Sequence, residues 1–369
     1  MPRIDAFLKL GREQDCSDIH LTVGMPPLVR LDGELIPVKY RDLTREETAS
    51  IIEEVLDARQ LEELEAKGAV DLSYAAEGVG RFRINVVNQL RGTSAVCRVI
   101  PSKVPTLDQL GLPAAIPRFT QVKSGLILVT GTAGTGKSTT LAAMIHEINR
   151  TRHLNIITLE DPVEFIHEDL KSMVTQRELG GHLVSFSAGL RAALRQDPDV
   201  ILVGELRDPA SIALAIEAAE TGHLVLGTLH TRGAYQTIHR IVDTFPGEAQ
   251  EQIRYTLADS LKCVISQDLL RLADGRGRRL ATEIMVMTQA IAQLIRDGRT
   301  FQIPQAIATG KRYGMNSMDQ CLLSLVSAGE IDGDEAYLHA TDKREFVPFV
   351  TNPELLEMME TTGRRAPAA

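Results

Sequence analysis

The chain has 369 residues, more than one ordinary core needs and enough for two domains. With 44% hydrophobic and 24% charged residues it has a globular make-up, and no apolar run is long enough to span a bilayer. A formal charge of −9, 4% aromatic residues and no Trp argue against a protein built to live on nucleic-acid phosphates and stacked bases.

The opening MPRIDAFLKLGREQD carries acids and lacks a long apolar stretch, unlike a signal peptide, so a cytoplasmic protein is expected. Residues 1–110 read as a small α+β domain. DIHLTVG alternates as a strand does, and LVRLDGELIPV sets Asp32-Gly33 between two apolar runs, a hairpin signal. TREETASIIEEVLDARQLEELEAKG predicts one long helix, opened by a Thr44/Glu47 capping box and closed by Gly68. GRFRINVV places Phe82, Ile84 and Val86 on one face and Arg81, Arg83 and Asn85 on the other; AVCRVI is its expected antiparallel neighbour. Pro101, Pro105, Pro113 and Pro117 punctuate the next stretch, and a linker is expected over 111–120. Cys16, Cys97, Cys263 and Cys321 are scattered and form no C-x-x-C pair, which argues against a disulfide framework and a cysteine zinc site.

The second domain is expected over 121–369. Short apolar runs, LILVT, NIITLE, DVILVGE and HLVLGTLHT, alternate with helical segments, as in a parallel sheet covered on both faces. DPASIALAIEAAETG is framed as a core helix, with Asp208 as cap, Pro209 in its first position and Gly222 at its end. The tail beyond residue 245 reads as mostly helical, with AIAQLIRDG and SMDQCLLSLVSAG as a cap, and the last few residues look frayed.

Gly131-Thr132-Ala133-Gly134-Thr135-Gly136-Lys137-Ser138 fits G-x-x-x-x-G-K-S without a mismatch, between the strand LILVT and the helix STTLAAMIHEINR. Inward-turned N–H groups and a helix N-terminus suit a polyphosphate, in a cradle that runs on to Thr139. Lys137 would reach the β- and γ-phosphates, and Ser138 would hold Mg²⁺. The metal needs an acid, and DPDVILVGE delivers Glu205 at a strand's C-terminal end, where open α/β sheets bind ligands. Glu160, Asp161 and Glu164 in ITLEDPVEF also follow a strand. One of them could orient or deprotonate the attacking water, and on spacing alone Glu205 and Glu164 could exchange roles. His230 closes GTLHT, a position where a lone histidine is more often structural than catalytic. Arg191 and Arg195 stand four apart, as on one helix face, and Arg81 and Arg83 form a second basic face. Exposed arginines are usually solvated, but an ATPase assembled as a ring needs some that reach a neighbour's γ-phosphate.

GTAGTGKSTT, ITLEDPVEF, LRQDPDVILVGELRD and TGHLVLGTLHT occur in the order and at the separations of the Walker A, Asp box, Walker B and His box of the secretion ATPase superfamily. The chain resembles that superfamily along nearly its whole length, from SDIHL to QEQIRYTLADSLKCVISQDLL, and is most similar to its type IV pilus retraction ATPases. The resemblance implies a PAS-like α+β N-terminal domain, then a RecA-like P-loop α/β domain with a helical C-terminal region. It implies a homo-hexamer that binds ATP and Mg²⁺ between its domains. It also implies roles: Lys137 and Ser138 on phosphate and metal, Glu164 as general base, Glu205 as Walker B glutamate and His230 as sensor of the nucleotide interface. Arg81, Arg83, Arg191 and Arg195 would be arginines supplied across domain or subunit contacts. The implied partner is the inner-membrane pilus platform protein, with a paralogous retraction ATPase as a further one, at the cytoplasmic side and without direct nucleic-acid binding. The family's retraction motif AIRNLIRE appears as Ala290-Ile291-Ala292-Gln293-Leu294-Ile295-Arg296-Asp297, with the apolar frame kept, an arginine and an asparagine replaced and the glutamate shortened. The reading from another class is a RecA-like nucleic-acid motor, which would need a basic lumen and DNA-stimulated hydrolysis.

Overall fold

The computed structural model describes residues 2–31, 34–101 and 103–355. The chain divides into two compact units, residues 1–103 with 164–166, and residues 104–163 with 167–369.

In the first unit α1 (Ile4–Glu13) leads into β1 (Asp18–Leu21), β2 (Leu28–Leu31) and β3 (Glu34–Pro37). Helices α2 (Arg45–Glu53) and α3 (Ala58–Lys67) follow, then β4 (Ala69–Ala76), β5 (Gly80–Gln89) and β6 (Gly92–Ile100). The strands form one antiparallel sheet in the order β3-β2-β1-β6-β5-β4. The alternation in GRFRINVV decides which face turns inward. Phe82, Ile84 and Val86 are buried with Ile4 and Leu8 of α1, Ile51 and Ile52 of α2, and Leu64 of α3. AVCRVI pairs antiparallel with this strand, as expected. Leu31 stands opposite Glu34, the register of a two-residue hairpin, while Asp32 and Gly33 themselves lie outside the described residues.

The single helix expected from Thr44 to Gly68 is two helices. Thr44 and Glu47 make the expected capping box, and Gly68 ends the second helix at φ 75°. Between them Asp57 takes an extended backbone and builds a second capping box with Gln60, whose N–H it accepts at 2.8 Å. A side chain that competes for backbone donors breaks the helix without disturbing the apolar spacing, so periodicity alone misses it.

The second unit begins at Val104. The stretch expected as a linker over 111–120 contributes instead to its core: Ile116 and Phe119 are buried with Ile127 and Leu141, as is Leu107 just before it. Its prolines shape turns over that core, and Pro117 opens a short 3-10 turn. Next come β7 (Gly125–Thr130), α4 (Lys137–Thr151), β8 (Asn155–Glu160), β9 (Met173–Glu178) and α5 (Phe186–Ala193). β10 (Val200–Val203), α6 (Pro209–Glu220), β11 (Leu224–Leu229), α7 (Ala234–Asp243) and α8 (Gly247–Ser260) continue the alternation. The helix α6 is framed as expected, with Asp208 accepting the Ser211 N–H at 2.9 Å and Gly222 at φ 112°.

The tail beyond residue 245 is less helical than expected. After α8 it runs through a β-hairpin, β12 (Leu261–Arg271) and β13 (Arg278–Val286), before α9 (Gln289–Arg296), α10 (Ile303–Thr309), α11 (Met318–Ser327) and α12 (Gly333–His339). The run LKCVISQDLL follows α8 without a glycine or proline, so sequence offers no punctuation; pairing against β7 makes it a strand. The seven strands run β13-β12-β7-β11-β10-β8-β9, all parallel except the edge strand β13. Both faces are covered. Ile127, Val129 and Leu202 pack with Met144 and Ile145 of α4, and Leu128, Ile201 and Val203 pack in the cluster formed with α5, α6, α7 and α9. In α9, Ile291, Ala292 and Ile295 are buried, and Arg296 pairs with Asp259 of α8 at 2.5 Å. Among the described residues no helix is long and apolar enough to cross a membrane.

Candidate active site

Strand register places three loops side by side. Thr130, the last residue of β7, is opposite Leu229, the last of β11; Val203, the last of β10, is opposite Gly227. Neighbouring strands lie about 4.8 Å apart. The loop 131–136, His230 and Glu205 therefore emerge from adjacent strands at one edge of the sheet, the C-terminal edge where ligands of open α/β sheets collect.

Gly131 leaves β7 at φ 144°, and a Cβ there would lie 2.4 Å from the carbonyl oxygen of Gln267. Backbone conformation and space both require glycine at that point. The loop is tied by Thr135 Oγ1, which donates to the Thr132 carbonyl at 2.9 Å. Lys137 begins α4 and is buried, its Nζ donating to the carbonyl oxygens of Gly131 (2.9 Å) and Thr132 (2.8 Å). Ser138 is exposed beside it, as are Ala133 and Gly134 at the loop's tip, and Thr139 is partly covered. The first N–H groups of α4 have no partners within their own helix, which adds positive potential at the same place.

Glu205 stands two residues beyond β10. Its Oε2 accepts from Arg207 Nη2 at 2.6 Å, and its Oε1 lies 3.5 Å from His230 Nε2. Burial pushes this carboxyl up, but Arg207 and His230 outweigh burial and hold it below the usual carboxylate range. The turn out of β10 is fixed by Thr228 Oγ1, which donates to the Gly204 carbonyl at 2.5 Å. His230 is thus paired with the acid that the strand end delivers, and Arg207, which in sequence merely follows Glu205, is that acid's counter-ion. An ionised carboxylate and an exposed serine hydroxyl at a helix start are hard oxygen donors of the kind magnesium takes, with the remaining ligands left to phosphate and water.

Glu160 ends β8 and accepts from Thr158 Oγ1 (2.5 Å) and Gln176 Nε2 (3.1 Å). Glu164 falls in the segment 164–166 that groups with the first unit. Arg81 and Arg83 lie on β5 of that unit, with Arg83 Nε 3.5 Å from Asp71 on β4. Arg191 and Arg195 do not share a helix face. The helix α5 ends at Ala193, and Arg195 lies in a turn whose N–H bonds the Ala192 carbonyl. Asp197 at φ 51° turns the chain on toward β10. Both arginine side chains are exposed.

Residues 13–331 match the family model of the type II/IV secretion system protein. The chain belongs to that family. It is 46% identical over 333 residues to the type IV pilus retraction ATPase PilT of Pseudomonas aeruginosa, across 90% of this chain and 96% of the relative. It is 42% identical over 328 residues to the uncharacterised protein YggR of Escherichia coli, across 89% of this chain and 99% of the relative. The fold matches the crystal structure of the pilus retraction motor PilT with bound ADP at a TM-score of 0.88 and 44% identity, covering 94% of this chain and 98% of that one. The family member described here is accordingly a P-loop ATPase with the two-domain secretion ATPase fold, as the order of its motifs implies.

Proposed function

We propose that the chain is the protomer of a homo-hexameric motor that hydrolyses MgATP to drive type IV pilus retraction. The supporting observation is the convergence of loop 131–136, Glu205 and His230 on adjacent strand ends, in a chain 46% identical to a pilus retraction ATPase over 90% of its length. In this reading Lys137 exchanges the loop carbonyls for the β- and γ-phosphates, and the N–H groups from Gly131 to Thr139 wrap them. Ser138 and Glu205 hold Mg²⁺, which supplies charge neutralisation on the phosphates. Glu164 takes the proton of the attacking water, His230 couples Glu205 to nucleotide occupancy, and Arg81, Arg83, Arg191 and Arg195 deliver positive charge across contacts between protomers. The motor works at the cytoplasmic face of the inner membrane on the pilus platform protein, reaching the membrane through that partner. The altered α9 motif, with Ala292 buried and Gln293 bonded to Asp297 at 2.7 Å, favours sharing the work with a paralogous retraction ATPase.

Substituting Lys137→Ala should abolish nucleotide binding and hydrolysis. Deleting the gene leaves cells hyperpiliated and without twitching motility. Strong stimulation of hydrolysis by single-stranded DNA would instead mark a nucleic-acid motor and overturn the pilus reading.

A further inference from the structure

Gln267 belongs to none of the four nucleotide motifs, yet it touches both ends of the cradle. The strand β12 pairs in parallel with β7 as far as Ser266 opposite Thr130, so Gln267 stands beside Gly131, where the loop begins. Its carbonyl oxygen, together with Thr135 Oγ1, excludes a Cβ from Gly131. Its side chain reaches the other way, with Nε2 donating to Thr140 Oγ1 of α4 at 2.9 Å in a buried contact. The Thr140 N–H in turn bonds the Gly136 carbonyl at 3.0 Å, where the loop ends. Two residues on, the Leu269 side chain stands 3.7 Å from where a Cβ on Gly136 would be.

We infer that Gln267 is a positioning residue for the nucleotide: with its main chain packed beside Gly131 and its side-chain amide bonded to Thr140, it sets the angle between loop 131–136 and α4. The inference rests on the cradle reading above. A loop with three glycines at positive φ has little stiffness of its own. The convergence of its N–H groups and of the Lys137 ammonium on one phosphate position must therefore be imposed from outside, and preorganisation of that kind appears in affinity. Gln267 and Thr140 are both buried, so neither group can exchange its partner for bulk water; losing one leaves the other unsatisfied.

The test is titration of the full chain with a fluorescent ATP analogue and Mg²⁺, for Gln267→Leu, Thr140→Val and the double variant, alongside thermal melts and steady-state hydrolysis. Each single variant should bind about fivefold more weakly. The double should be no weaker than the poorer single, because both remove one bond. KM should rise while kcat at saturating ATP changes less, and the affinity loss should persist well below the melting temperature. Wild-type affinity in the singles with only a lowered melting temperature, or losses that add in the double, would overturn the inference. If Gln267→Leu does not fold, Thr140→Val breaks the same bond and decides the matter alone. Lys137→Ala in the same titration separates the two claims. Wild-type affinity in that variant sinks the cradle reading, whereas lost binding there beside wild-type affinity in the Gln267 and Thr140 variants sinks only the positioning role.

Discussion

Glu205 is held between the Arg207 guanidinium at 2.6 Å and the His230 imidazole at 3.5 Å. A carboxylate kept ionised in this way suits a metal-organising role better than a proton-accepting one, since a general base works best with a pKa nearer the operating pH. Glu205→Gln should therefore retain nucleotide affinity and lose turnover, read by equilibrium titration against phosphate release; ordinary turnover in that variant would remove Glu205 from the chemistry. A second titratable pair, His339 with Asp268, bears on stability. Nδ1 and Oδ2 are 2.6 Å apart, and the hydrogen bond to Asp268 raises the imidazole's pKa against the opposing effects of burial and Arg232, with Glu335 adding to the rise. A histidine raised in the folded state contributes fully below its unfolded value of about 6.5, and the contribution disappears as pH climbs through the raised value. Melting temperatures from about pH 5.5 to about pH 8.5 should fall more steeply for the wild type than for His339→Gln. Parallel curves would show that the pair carries no pH-linked stability.

At the scale of elements, local chemistry was legible and long-range pairing was not. The cradle is written in one strand-loop-helix run from Leu126 to Thr140, so its residues name each other. The bond from Gln267 to Thr140 spans 127 positions, and no spacing rule reaches that far. The same reason hides β12 and β13: an apolar run with no turn residues before it becomes a strand only when β7 offers its edge. It also hides the role of residues 104–120, where prolines look like a boundary until Ile116 and Phe119 are seen in a core. The break at Asp57 was legible in principle, since Asp57 with Gln60 is as good a capping box as Thr44 with Glu47. Asp57→Ala should destabilise the first unit by about 1 kcal/mol. A denaturation midpoint unchanged by that substitution would mean that packing of Leu64, not the cap, holds α3 in place.

At the scale of the whole molecule, the match to PilT over 90% of the chain makes the family plain. Native mass measurement of the full chain with Mg²⁺ and a non-hydrolysable ATP analogue should give six times the protomer mass; a monomer under those conditions would leave the exposed Arg191 and Arg195 with no neighbour to serve.

The placement of β7 has a mechanical consequence. It lies inside the sheet, with β12 along one side and β11 along the other, and it carries loop 131–136 on its end. Tension applied lengthwise to an interior parallel strand is shared in shear by two ladders, whereas a border strand has only one to resist it. An engine mounted on such a spar can recoil repeatedly without tearing its own mount.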